Sequence, residues 1–478
     1  MSKTKSFAVA GLTLLGTSMH LSALTIATRG LGQVLEFPYY TVNANQNTLI
    51  TVVNSTQRIK ALKARFREGY DGRVVAQFNV YLSPYDVWTG AILSDNGAVA
   101  IATRDNSCTV PAFSSTATSV DIPALALSMQ NFTGASADTG PTDASRLNEG
   151  HFEFFEMGEI TGTANGFDLD IEHVNGVPPG CAQLVNAWAG GVWSTNAATD
   201  MTPPGGGLFG SEAIVDVANG TFYSVVPTVL DGFSSTVQHT APSSAAPDFD
   251  TMSAGNDGKF GVSIDAGGKA LDLHYAKSVD AVSALFMANQ VLNEYETLDS
   301  VGAQSDWQVT FPTKHFYVAK ATGSSPPFEE YYGQFDDEPG SCVGFDFTVF
   351  DREEEIVITS GCTTSPCSPG ILHRGFCYET DVVSLSSPGG SALHSSLAEP
   401  FGPSLTDGHM NFDFGTTYPD HKLAASVEGT SLRGLPVVGF LAENFVNANV
   451  TPGVLANYTA AIPHHSTVAC ATANGACP

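Results

Sequence analysis

At 478 residues the chain is too long for one ordinary core, so two or three domains are expected. Its 48 acidic residues outweigh 20 basic ones, for a net charge of −28, which repels phosphate backbones and excludes nucleic acid as a partner. Only 14% of residues are charged while Gly (47) and Phe (29) abound, a balance that favours short strands and turns over helices.

The N-terminus has the order of a secretory signal. Lys3 and Lys5 precede an apolar run from Phe7 to Leu15, with a small-residue exit near Ala23 or Ala27. A buried first strand or helix is the competing reading. Removal of residues 1–23 leaves a net charge of −30. The apolar run is too short to anchor in a bilayer, and no later run approaches the length of a membrane span. The expected location is secreted or cell-surface, with the periplasm also open.

Residues 28–240 read as an N-terminal β-sandwich-like domain. Residues 48–54 alternate and are β-branched. Residues 60–67, KALKARFR, fit two periods. Ile59, Leu62 and Phe66 make a helix face; Leu62, Ala64 and Phe66 make a strand face opposite Lys63, Arg65 and Arg67. The strand-like neighbours, notably 74–82, favour the strand. It projects a basic stripe from a chain that is otherwise acidic. Tyr70, Tyr81, Tyr85 and Trp88 follow closely and offer stacking area.

Residues 114–147 read as a loop insertion, and 151–160 returns to strand. In the segment 168–173, read as extended, Asp168, Asp170 and Glu172 share one side. Oxygen-rich sets of this kind favour Ca²⁺, the one cofactor the sequence suggests; a solvated acidic face is the plainer reading. A helical patch is expected around 182–188. Asn219-Gly220 is the strongest hairpin signal, expected as a type I′ turn. Residues 241–248, APSSAAPD, read as a linker to a second β-rich domain, 249–478, with cysteine-stapled loops. Residues 248–259 miss the EF-hand pattern. Residues 279–296 are expected to be helical with Asp280 as cap. Strands are expected over 306–318 (broken at Pro312), 344–351, 409–415 and 434–450. The class is mainly β: antiparallel sandwich-like domains, long loops and at most one or two short helices. Irregular strand spacing argues against an outer-membrane barrel.

Eight cysteines suit an oxidising compartment. Proximity suggests Cys470–Cys477, local pairing among Cys342, Cys362, Cys367 and Cys377, and a long-range Cys108–Cys181 clasp. Hydrolase, zinc-helix and phosphate-loop signatures are missing. His464-His465 reads as an exposed pair on a polar tail. The basic stripe, with Tyr81 and Trp88, would dock an anionic cell-surface polysaccharide, lipid headgroups or another protein. Its competing reading is neutralisation of the chain's own carboxylates.

The blocks GQVLEFPYYTVN (32–43), FNVYLSPYDVWTG (78–90), GGLFGSEAIVDVANGT (206–221), DWQVTFPTK (306–314) and GLPVVGFLAENFVN (434–447) together resemble a family of uncharacterised secreted or surface-associated bacterial proteins. The resemblance covers most of the chain. It implies bacterial origin, export and one co-inherited architecture, and no activity. The expected function is therefore a structural, adhesive or binding role outside the cell. The alternatives are a polysaccharide hydrolase using carboxylates in a sandwich cleft, and a calcium-stabilised binding module.

Overall fold

The computed structural model describes residues 23–478 apart from 115–120, 135–136, 139, 162–163, 336–339, 354–355, 360–374, 387–389, 402–404, 448–450 and 455. The expected signal segment and Cys362 and Cys367 lie outside the described residues, save for Ala23 at the segment's end.

Alternation builds the first sandwich. In Asn47–Asn54, Thr48, Ile50, Val52 and Asn54 point inward, one face of a pleated strand. That strand belongs to a sheet ordered Thr221–Val225, Leu208–Asp216, Asn47–Asn54, Val87–Asp95, Ala98–Ala102, Ala124–Ala126. The facing sheet runs Thr25–Ile26, Thr228–Asp231, Val34–Thr41, Glu149–Ile160, Ile59–Glu68, Val74–Leu82, Cys108–Val110, with Met201–Thr202 also paired to Glu149–Ile160. Phe37, Phe66, Phe78, Trp88, Phe152 and Phe154 fill the space between. Phe152 stacks on Phe37 at 4.4 Å and on Phe66 at 5.0 Å, geometry worth about 0.5–1.5 kcal/mol per pair beyond area burial.

The second half repeats the plan. One sheet runs Ile356–Thr359, Asp346–Phe350, Asp407–Asp413, Gln290–Glu296, His465–Thr467. The other runs Ala398–Pro400, Thr380–Ser384, Ala303–Thr310, Val438–Phe445, Tyr458–Pro463. Trp307, Phe345, Phe347, Phe376 and Phe412 pack at its centre. Between the halves sit the hairpin Phe260–Asp265/Ala270–Tyr275 and the helix Ser278–Phe286. One apolar cluster runs from Val34, Phe155 and Leu230 through that helix into the second half. The chain is mainly β, with helix confined to short segments and no sheet closing on itself among the described residues.

Several segments depart from expectation. The 279–296 helix stops at Phe286; Gln290–Glu296 is a strand burying Val291, Asn293 and Tyr295. Period two wins there because both flanking strands need a partner. Lys277, not Asp280, occupies the N-cap; Asp280 is buried and accepts from the Tyr317 hydroxyl at 2.8 Å. The hairpin at Asn219-Gly220 forms, but as a four-residue loop in which only Gly220 (φ 65°) is left-handed. Asp216 rather than the type I′ geometry holds that turn, accepting from the backbone N–H groups of Ala218 and Asn219. The 114–147 insertion contributes Ala124–Ala126 to a sheet and the buried Arg146 to the core. Among the described residues three disulfides are present, Cys108–Cys181, Cys342–Cys377 and Cys470–Cys477.

Candidate functional site

The basic segment is a strand, Ile59–Glu68, and all ten of its residues are buried. Leu62, Ala64 and Phe66 enter the sandwich core. Lys63, Arg65 and Arg67 project from the opposite face, as the period of two requires. That face is not a surface. The segment expected to be a linker, 241–248, lies across it, and the second half closes over the rest. The docking surface expected of Lys63, Arg65 and Arg67 is therefore absent: they are 0%, 0% and 3% exposed.

Register assembles the site. Cross-strand pairs place His151 beside Arg67 and Glu153 beside Arg65, and Glu36 beside Glu153. Arg67 donates from Nε to Glu153 at 2.7 Å, from Nη1 to the Gly72 carbonyl at 2.8 Å and from Nη2 to Asp248 at 2.6 Å. Arg65 pairs with Asp248 at 2.8 Å and donates to the Ala245 carbonyl at 2.6 Å. Among the described residues Lys63 has only carbonyls as partners, Ala241 at 2.6 Å and Pro242 at 3.2 Å. Burial, with Arg65 adding, pushes its amine down to about 7. Burial works against the Asp248 charge, but Arg67 and Arg65 prevail and hold the carboxyl below its usual range.

From there the chain of charges crosses into the second half. His151 Nδ1 lies 2.9 Å from Glu36, and Nε2 lies 3.7 Å from Glu379. Glu379 also accepts from Tyr332 OH at 3.1 Å, and its other oxygen sits 2.6 Å from His315 Nδ1. Burial disfavours the imidazolium, yet Glu36 overrides it and lifts His151 to about 10. Burial likewise pushes Glu36 up. The two shifts describe one shared proton. It resides on His151, because Glu379 on the other nitrogen also favours the cation. Glu379 itself is opposed by burial but held far below the carboxylate range by His315 and His151.

Glu36, His151 and Glu153 form the one set among the described residues compact enough to hold a metal ion. Glu36 Oε2 and Glu153 Oε2 have no hydrogen-bond partner among the described residues. The donor set suits a divalent transition metal. The Arg67 guanidinium already sits on Glu153, however, and would repel a second cation. The arrangement is an ionic seam: four carboxylates (Glu36, Glu153, Asp248, Glu379) against two guanidiniums and two imidazoles.

Two more ion clusters cap the sandwich interior at opposite ends of the same strand. Lys60 donates to Glu156 and Glu159, both at 2.7 Å. Arg146 pairs with Glu68, Asp71 and Asp138 and lies 4.0 Å from the Phe132 ring centre. Glu149 adds a further clasp between the halves, accepting from Tyr39 OH at 2.7 Å and from the Ser396 backbone N–H at 2.8 Å.

The remaining expected site residues do not converge. Tyr81 is buried, stacked on Trp193 at 5.5 Å, its hydroxyl 3.0 Å from His239 Nε2. Trp88 is buried against Phe78 and Phe154. Neither offers a face to a sugar. Asp168 and Asp170 lie in a helical turn, Phe167–Ile171, and Glu172 is its C-cap. An i, i+2 pair on a helix diverges, so the shared strand face is lost. His464 is not a free tail residue: its Nε2 accepts from Trp307 Nε1 at 2.6 Å, and burial pushes it down to about 3. Sequence reasoning missed Glu36, His151, Glu153 and Glu379. The first three alternate with core residues in FPYY-type and HFEFFE strands, a signal that both strand faces are buried. Compared with protein-family models, curated proteins and solved structures, the chain matches none of them.

Proposed function

We propose that the protein is exported and serves a structural or binding role at a bacterial cell surface or beyond it. The observation that carries this reading is the seam. Cations scarce in the sequence are placed inside, where Arg65 and Arg67 tie the first sandwich to the 241–248 segment and His151 reaches Glu379 of the second half, and disulfides staple both halves. That is an architecture for persistence in an oxidising compartment. Mass spectrometry of protein recovered from a bacterial expression host tests it. The expected product begins after Ala23 or Ala27 and has its cysteines blocked to alkylation. Retention of Met1 with reactive thiols in the cytoplasm would sink the proposal.

A second reading, a carboxylate hydrolase, draws on an open groove of about 460 Å³ in the second half, lined by Glu294, Glu296, Asp351 and Glu443. Burial, then Glu296 and Glu294, pushes the Glu443 carboxyl up, as a general acid requires. Arg352 pairs with Glu296 at 2.7 Å, giving the two carboxylates different surroundings. Under this reading Glu443→Gln abolishes release of reducing ends from a soluble polysaccharide. Equal release by the variant and the unaltered protein would rule Glu443 out.

A further inference from the structure

The first sandwich keeps one broad face uncovered among the described residues. It is the outer face of the sheet that holds Thr221–Val225, Leu208–Asp216, Asn47–Asn54 and Val87–Asp95. Alternation decides which side chains stand on it. Phe209, Val53 and Val87 lie abreast, as do Ser224, Ala213, Leu49 and Ala91, and Phe222 lies beside Val215. Phe209 is 40% exposed, Leu49 43% and Phe222 54%. Val217 and Val226, just past the strand ends, are more exposed still.

The interior of this face carries no charge. The chain holds 48 acidic residues, yet the first charged side chain at an outward position of these four strands is Asp95, where Val87–Asp95 ends. Glu212 and Asp216, the acids of Leu208–Asp216, are both turned inside. Asp105 stands at the border, accepting from the Thr89 N–H at 3.2 Å. The second half shows the ordinary alternative. There the outward positions of Gln290–Glu296 and Asp407–Asp413 include Glu294, Glu296, Asp407 and Asp413. A solvated antiparallel sheet sets apolar residues inside and polar ones outside. A sheet that is apolar on both faces is suited to being covered on both.

Size and charge select what covers it. With strands about 4.8 Å apart and about 3.4 Å per residue, four strands of seven or eight residues project an area of about 500 Å². Monomers rarely expose a contiguous apolar face of that extent. Two such faces pressed together bury about 1,000 Å² before side-chain relief is added, the size at which a specific interface begins. A basic partner would be drawn to the acidic surfaces and gains nothing from a face without charge. Two copies of a chain with net charge −28 repel one another wherever acids meet acids, and this face lets them approach without that repulsion. Interfaces between identical chains are also the more apolar class.

We infer that two copies of the chain pair through this face, sheet on sheet about 10 Å apart, around a two-fold axis that sets the same strands against themselves. The pairing depends neither on export nor on the ionic seam. Sedimentation equilibrium of the purified, oxidised full chain tests it across about 1–100 μM, where interfaces of this size associate. Double the monomer mass is expected. Association should strengthen with sodium chloride, because screening relieves the repulsion between two acidic copies. Leu49→Glu and Phe209→Glu each set an unpaired charge in the contact and should weaken association by roughly a hundredfold or more. Leu298→Glu, in the second half, should leave it unchanged. Near-ultraviolet circular dichroism should match across all variants, which separates lost contact from lost fold. A monomer throughout the range overturns the inference, as does a dimer that salt dissociates or that survives both substitutions. A monomer that floats with phosphatidylcholine vesicles would make the face a membrane-docking one and overturn the pairing equally.

Discussion

The two faces of the Ile59–Glu68 strand are equally buried and are held by different forces. On one face Leu62, Ala64 and Phe66 meet aromatic rings. On the other, Lys63, Arg65 and Arg67 meet carboxylates and carbonyls. Apolar packing tolerates loss in proportion to the volume removed. An ionic seam does not, because removing one ion leaves its partners charged and dry. The comparison teaches that burial by itself says little about which substitution is costly.

The largest effects should expose that asymmetry. Arg67→Ala strands Glu153, leaves Asp248 with Arg65 alone and should cost about 3–5 kcal/mol. Phe66→Ala should cost a similar 3–5 kcal/mol through a cavity. Urea unfolding measures both, and the distinguishing result is rescue. Arg67→Met restores volume without charge and should recover little, whereas Phe66→Leu should recover much of its loss. Equal recovery at both positions would erase the distinction between the faces.

Next in size is the response to pH. Asp248 and Glu379 have folded values below their unfolded ones. The stability they contribute is present above the unfolded carboxylate range, about 4, and is lost as pH falls through the folded values. His151 works in the opposite direction. Raised to about 10, it contributes fully below about 6.5 and its share fades as pH rises through 10. Urea midpoints across pH should therefore fall at both extremes, and His151→Gln should flatten the alkaline limb.

Lys63 gives a smaller effect of reversed sign. Its folded value, about 7, lies below the unfolded value of about 10.4, so it costs stability at neutral pH and less as pH rises between the two. Lys63→Met should stabilise by about 1 kcal/mol or more at pH 7, with the gain shrinking toward pH 10. A gain independent of pH would mean that Lys63 carries no charge penalty. The smallest effect is expected at Glu212. It is buried, neither oxygen has a partner among the described residues, and burial with the Glu36 charge pushes its carboxyl well above the usual range, so it sits there neutral. Glu212→Gln should change stability by less than about 1 kcal/mol at pH 7, because a neutral group replaces a neutral group. Glu153→Gln, which removes a charge paired with Arg67, should cost clearly more.

Much of the strand content was legible because alternation is a local property. Residues 48–54, 74–82 and 151–160 show it plainly, and the strand reading of 60–67 followed from its neighbours. Pairings such as Cys108–Cys181 were legible by exclusion once the nearer cysteines were grouped. The helix end at Phe286 was not, since Val282, Leu285 and Phe286 continue into residues that fit either period.

The sequence by itself determined the β class, the acidic balance and which strand face carries Lys63, Arg65 and Arg67, because side-chain direction along a strand depends only on position parity. Only the tertiary structure decided what that face meets. Segment 241–248 folds back over it and Glu379 arrives from the second half, turning an apparent docking stripe into an internal seam. The physical reason is that charge pairing and burial are settled between segments distant in sequence, where no local pattern records the partner.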